Sequence, residues 1–171
     1  MADNNLMKSV FVTVGTTSFD KLIQVVSSDA VVEMFQKLGY SKLELQIGRG
    51  EYEPRERDNV NGVELTYFRY KDSIKDHIEQ ADLVISHAGA GSVLETLQAG
   101  RPLLVVINED LMDNHQLEVA YQLHKDGHLY YCTPSQLLQV LHTLDISKLK
   151  PFESGQPQKF ASFLDKVMGY S

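Results

Sequence analysis

Apolar positions along this chain come in short blocks of two kinds, and their alternation predicts an α/β fold. Residues 9–14 (Ser-Val-Phe-Val-Thr-Val) form a β-branched run that stops at Gly15-Thr16-Thr17-Ser18, after which helical spacing begins at Leu22, Val25 and Val26. The next strand block is 43–47, ending at Gly48-Arg49-Gly50, and the polar stretch 51–62 reads as an exposed loop. Residues 63–68 alternate as a third strand, and 71–80 form a short helix with Ile74, Ile78 and Ala81 inward. A fourth strand is expected at 83–85, a fifth at 103–107 and a sixth at 128–131. Asp113, as N-cap with Gln116 three residues on, would open a helix with an apolar stripe of Leu117, Ala120, Tyr121 and Leu123, closed by Gly127. Thr133-Pro134 caps another helix through His142.

The stretch 81–97 carries the most chemistry. An apolar strand suited to cover on both faces runs into Ser86-His87-Ala88-Gly89-Ala90-Gly91-Ser92, a glycine turn that opens a helix, and Gly100-Arg101-Pro102 ends that helix before the next strand. Gly89 and Gly91 allow close approach of the backbone, and the N–H groups and positive dipole end of the helix favour an anion such as a diphosphate. The same residues also admit a ligand-free account, because Ser92 and Glu95 spell S-x-x-E, a capping box that would satisfy the helix end by itself. A lone His115 is likewise compatible with a plain exposed helix residue.

Six strands alternating with helices predict a Rossmann-like doubly wound parallel sheet of order 3-2-1-4-5-6. In that order strands 1 and 4 are neighbours at the topological switch, so Gly15, Thr16 and Thr17 face the segment His87 to Ser92 across one crevice at the carboxyl ends of the strands. The first turn lacks the lysine of a P-loop and the full G-x-G-x-x-G spacing, which argues against an ATPase and a dinucleotide fingerprint.

Composition narrows the function classes. The 171 residues fit one domain, and a net charge of -7 with no basic cluster argues against nucleic acid as a partner. The single cysteine, Cys132, leaves no internal disulfide and fits a reducing, cytoplasmic setting. No apolar leader segment and no run of ~18 apolar residues is expected to reach a membrane, so any membrane association is expected to come through a partner.

The segments Phe11-Val12-Thr13-Val14-Gly15-Thr16-Thr17, Ser86 to Ser92 with Glu95, and Asn114-His115-Gln116 resemble glycosyltransferase family 28 over about residues 8–132. The resemblance implies the C-terminal, donor-binding half of a GT-B glycosyltransferase. It implies that Gly15, Thr16, Thr17, His87, Gly89, Ala90, Gly91 and Ser92 hold the UDP diphosphate, that Glu95 grips the ribose hydroxyls, and that Asn114, His115 and Gln116 read the GlcNAc hydroxyls. Bacterial relatives carry two glutamines where this chain carries a histidine and a glutamine. The implied reaction is inverting transfer of GlcNAc from UDP-GlcNAc to dolichol-diphosphate-GlcNAc, the second step of N-glycan precursor synthesis, with no metal or other cofactor.

A GT-B enzyme needs two domains of this size, so by the same resemblance the acceptor half and its general base belong to a membrane-anchored partner subunit that recruits this chain to the cytosolic face of the endoplasmic reticulum. No catalytic acid or base is assigned here. A nucleotide-sugar epimerase or hydrolase, and a UDP-sugar-binding subunit without turnover, stay open as alternatives. The expected division is a UDP-sugar-binding domain, 1–150, followed by a connector and amphipathic helix, 151–171. In that helix Phe160, Phe163, Leu164, Val167 and Met168 form a stripe ended by Gly169, which can pack on its own domain or dock on the partner.

Overall fold

The structure, a computed structural model, describes residues 8–58, 62–109 and 114–152, and for 114–117 the backbone alone. Six parallel strands form one sheet in the order β3-β2-β1-β4-β5-β6, as the alternation of blocks required. They are β1 (Lys8–Thr13), β2 (Tyr40–Gln46), β3 (Glu64–Phe68), β4 (Leu83–His87), β5 (Leu103–Val106) and β6 (Tyr130–Cys132). Among the described residues six α-helices connect and cover them: α1 (Asp20–Val26), α2 (Asp29–Lys37), α3 (Lys75–Gln80), α4 (Ala90–Gln98), α5 (Asn114–Lys125) and α6 (Leu137–Thr143).

Successive side chains of a strand point to opposite faces, and here both faces are buried. Val10, Val12, Leu43, Leu45, Ile85 and Leu104 pack with Leu22, Ile23, Phe35, Leu137 and Leu141 from α1, α2 and α6. Phe11, Val84, Leu103 and Val105 pack on the other side with Ile78, Val93, Leu97, Val119 and Leu123 from α3, α4 and α5. This double cover makes the strands read as apolar runs and leaves the carboxyl edge of the sheet as the surface where loops can do chemistry.

Several expectations need correction. The region after Leu22 holds two helices, because the Ser28 side chain accepts from the Val31 N–H and starts α2 afresh. The third helix begins at Lys75 rather than 71. Tyr121 is exposed at 52%, and Val119 takes its place in the buried stripe of α5, since 119, 120 and 123 share the face turned to the sheet. The sixth strand spans Tyr130–Cys132 rather than 128–131. Elsewhere the punctuation holds: Gly100 closes α4 with φ +72°, and Thr133 with Gln136 forms a capping box around Pro134, although that box opens a short 3-10 turn, Pro134–Gln136, and α6 itself starts at Leu137. Asp113 and the tail stripe 160–168 lie outside the described residues.

Candidate functional site

Strands β1 and β4 run side by side with Thr13 opposite Ser86, so the turns that leave them meet at the switch in strand order. The β1 turn is fixed from below. The Gly15 N–H donates to Thr13 Oγ1 at 3.0 Å, and the buried Thr13 hydroxyl donates in turn to Gln46 Oε1 on β2. Thr17 closes the turn by donating its hydroxyl to the Val14 carbonyl at 2.9 Å, while Thr16 and Thr17 stay exposed at the rim. Gly15 has φ +64°, a conformation glycine adopts without penalty.

On β4, Ser86 is buried and donates to the His87 carbonyl, and His87 projects into the junction between the two turns. A β-carbon on Gly15 would lie 2.9 Å from His87 Nε2, and one on Gly89 would lie 2.3 Å from His87 Cε1. The ring therefore fills the side-chain space of both glycines and fits one turn against the other. Burial pushes its pKa down from 6.5 to about 4, so at neutral pH His87 is an uncharged imidazole.

The start of α4 bears on the capping account of Ser92 and Glu95. Gly89 is the N-cap, with φ -89° and ψ 130°, and no side chain caps it. Ser92 is already the third residue of the helix, so the S-x-x-E capping box does not form. Its register is wrong by one turn. The first intrahelical bond runs from the Val93 N–H to the Gly89 carbonyl at 3.0 Å, which leaves the N–H groups of Ala90, Gly91 and Ser92 without an acceptor among the described residues. A β-carbon on Gly91 would meet nothing within 4 Å. Glu95, half-buried, lies one turn further along the same helix. The arrangement is a bare helix end, open at the Gly91 β-carbon position and beside a turn of small residues, which is suited to an anion.

Asn114, His115 and Gln116 form the first turn of α5. That helix follows β5, whose Val106 pairs with His87, so the backbone of the segment belongs to the same carboxyl edge. Its side chains lie outside the described residues. No group of three or more His, Cys, Asp or Glu among the described residues could hold a metal, and no described helix is long and apolar enough to cross a membrane. The loop after β2, which the strand pattern marked only as an ending, also reaches the site: the Arg49 N–H donates to the Thr17 carbonyl at 3.0 Å. Nothing local in the sequence signals that link, because it joins residues 32 positions apart.

The model of the glycosyltransferase family 28 C-terminal domain matches residues 9–167. The chain belongs to this family. As a family 28 C-terminal domain it is similar to the human protein named UDP-N-acetylglucosamine transferase subunit ALG13, with 62% identity over 127 residues, 74% of this chain and 11% of the human protein. The chain thus spans about a tenth of that relative's length. The Yarrowia lipolytica protein of the same name is 37% identical over 143 residues, covering 83% of this chain and 73% of that protein. The NMR solution structure of ALG13 matches with a TM-score of 0.71 and 29% identity, covering 96% of this chain and 98% of that one. The crystal structure of MurG from Acinetobacter baumannii, at 18% identity and a TM-score of 0.64, shares the fold with 50% of its own chain. The family 28 domain is thus the C-terminal half of a GT-B architecture, as the motifs implied.

Proposed function

We propose that this chain is the donor-binding subunit of a heteromeric inverting glycosyltransferase that moves GlcNAc from UDP-GlcNAc to dolichol-diphosphate-GlcNAc in N-glycan precursor synthesis. The observation that carries the reading is the bare start of α4, where the N–H groups of Ala90, Gly91 and Ser92 have no acceptor among the described residues, beside the β1 turn and a neutral imidazole. A nucleoside diphosphate supplies the negative charge such an end favours. The likeness to proteins named UDP-N-acetylglucosamine transferase subunit supports UDP-GlcNAc as donor, and the word subunit supports a second chain.

In this reading the acceptor hydroxyl attacks the anomeric carbon from the face opposite UDP. The bond from that carbon to the β-phosphate oxygen breaks, UDP leaves with the electron pair, and the configuration inverts. The hydroxyl proton passes to a general base on the partner. Charge grows on the departing diphosphate, so N–H groups already aimed at it bind the transition state more tightly than the ground state, without a metal in that role. Glu95 takes the ribose hydroxyls, while Asn114, His115 and Gln116 take the GlcNAc hydroxyls. The partner is a membrane-anchored acceptor-binding subunit that holds this chain at the cytosolic face of the endoplasmic reticulum, with residues 151–171 contributing to the docking.

Calorimetric titration with UDP, UDP-GlcNAc and UDP-GalNAc, together with transfer assays with and without the partner, tests the reading. Binding of UDP and UDP-GlcNAc by this chain, with turnover only when the partner is present, is expected. A chain that binds no UDP overturns the proposal. Conversion of UDP-GlcNAc with no lipid acceptor would replace it with an epimerase or hydrolase.

A further inference from the structure

We infer that Arg49 is a diphosphate-binding residue at the lip of the crevice, an inference that rests on the donor-binding reading above. The loop that carries it is held from every side. The Gly48 N–H donates to the Arg69 carbonyl at 3.0 Å, the Arg49 N–H to the Thr17 carbonyl at 3.0 Å, and the Glu51 N–H to Asp20 Oδ2 at 3.2 Å. The Arg69 guanidinium donates to the carbonyls of Gly48 at 3.2 Å and Gly50 at 2.7 Å, and pairs with Glu53 at 2.8 Å.

Gly48, before Arg49, is required by the neighbouring turn, and Gly50, after it, packs against the Asp20 side chain of α1. Gly48 has φ +63°, and a β-carbon there would stand 2.0 Å from the Thr17 carbonyl oxygen. A β-carbon on Gly50 would stand 2.0 Å from Asp20 Oδ1. Between two buried glycines, Arg49 itself is exposed, and its guanidinium has no hydrogen bond or ion pair among the described residues. By contrast Arg57 pairs with Asp29 and Arg69 with Glu53.

In a chain of net charge -7, a free guanidinium is thus fixed by its backbone to the very turn that borders the bare end of α4. A guanidinium matches phosphate oxygens with a planar fork of donors, and a pre-set backbone lowers the ordering cost of using it. The diphosphate can come from the donor or from the lipid-linked acceptor, and two measurements separate them.

R49Q and R49K are made in the full chain, with thermal melting as the control for folding. In the first arm UDP is titrated into the wild-type chain and each variant; in the second, each is assembled with the partner and KM is measured for UDP-GlcNAc and for a dolichol-diphosphate-GlcNAc analogue. A loss of about tenfold or more in R49Q, the scale of a charge-assisted hydrogen bond, is expected in one arm, with R49K intermediate. Weaker UDP binding assigns Arg49 to the donor; a raised acceptor KM with an unchanged UDP-GlcNAc KM assigns it to the acceptor. Wild-type values in both arms overturn the inference while leaving donor binding intact. Loss of the partner from R49Q complexes overturns it as well, by making Arg49 a protein contact. If the wild-type chain binds no UDP, the donor reading fails first.

Discussion

His87 and Gly15 meet across the junction of the two turns so closely that a single methyl group on Gly15 would stand 2.9 Å from the imidazole Nε2. A β-carbon on Gly89 would stand 2.3 Å from Cε1 of the same ring. The two glycines are therefore placed by a side chain of this protein. Gly15→Ala carries two penalties, the clash and a φ of +64°, the latter worth ~1–2 kcal/mol. Gly89 has an ordinary φ of -89°, so Gly89→Ala carries the clash alone. Urea unfolding of G89A, H87A and the double variant should give a non-additive cycle, with the double variant more stable than the sum of the singles predicts by about 0.5 to 3 kcal/mol. Additive values would mean that the ring and the glycine do not compete for one space.

Burial lowers the His87 pKa to about 4 from 6.5, which fixes the sign of its pH effect. Between these values the unfolded chain holds a proton on His87 that the folded chain does not, so stability rises with pH. The contribution is fully present above about pH 6.5 and is lost as pH falls toward 4, with a ceiling of about 3 kcal/mol. Comparing unfolding free energies at pH 7 and pH 5, H87Q should lose less stability than the wild type. Parallel pH profiles would place the titration elsewhere.

The strand order and both glycine turns were legible because each is written locally: an apolar run for a strand covered on both faces, a glycine at its end, helical spacing after it. What the sequence concealed was register and distance. Ser92 and Glu95 match a capping pattern, but α4 starts at Ala90, and a pattern cannot tell a first residue from a third. The break between α1 and α2 at Ser28 was hidden because the apolar spacing from Leu22 to Phe35 continues across it. The fixing of Arg49 depends on Thr17, Asp20 and Arg69, which are remote in the chain and adjacent only once the sheet has formed.

Gly91 separates ligand room from packing room. A β-carbon there meets nothing within 4 Å, in contrast with Gly89 one helical cap away. Gly91→Val should therefore fold, with a change in stability within about 1 kcal/mol, since valine is no worse than glycine in a helix. Its branched side chain would fill the open space at the Gly91 β-carbon position beside the bare N–H groups, and UDP affinity should fall by at least tenfold in calorimetry. A folded G91V protein with wild-type UDP affinity would move the diphosphate away from the start of α4.

Glu95 offers the sharpest contrast between a helix-capping and a ligand-binding role. A capping glutamate would return its carboxylate to the N-cap N–H, and losing such a cap costs ~0.5–2 kcal/mol. In this structure the N-cap is Gly89, six positions earlier, and no side chain caps the helix. Glu95→Gln preserves shape and removes charge, so the melting temperature should stay within about one degree of wild type. If the carboxylate accepts the two ribose hydroxyls, the same variant should bind UDP and UDP-GlcNAc about ten- to a hundredfold more weakly, the range for hydrogen bonds to a charged group. UMP should be weakened by a similar factor, since it keeps the ribose and lacks only the second phosphate. Loss of UDP binding with UMP unaffected would reassign Glu95 to the diphosphate side of the crevice, and a lower melting temperature with unchanged affinity would make it a structural residue of α4.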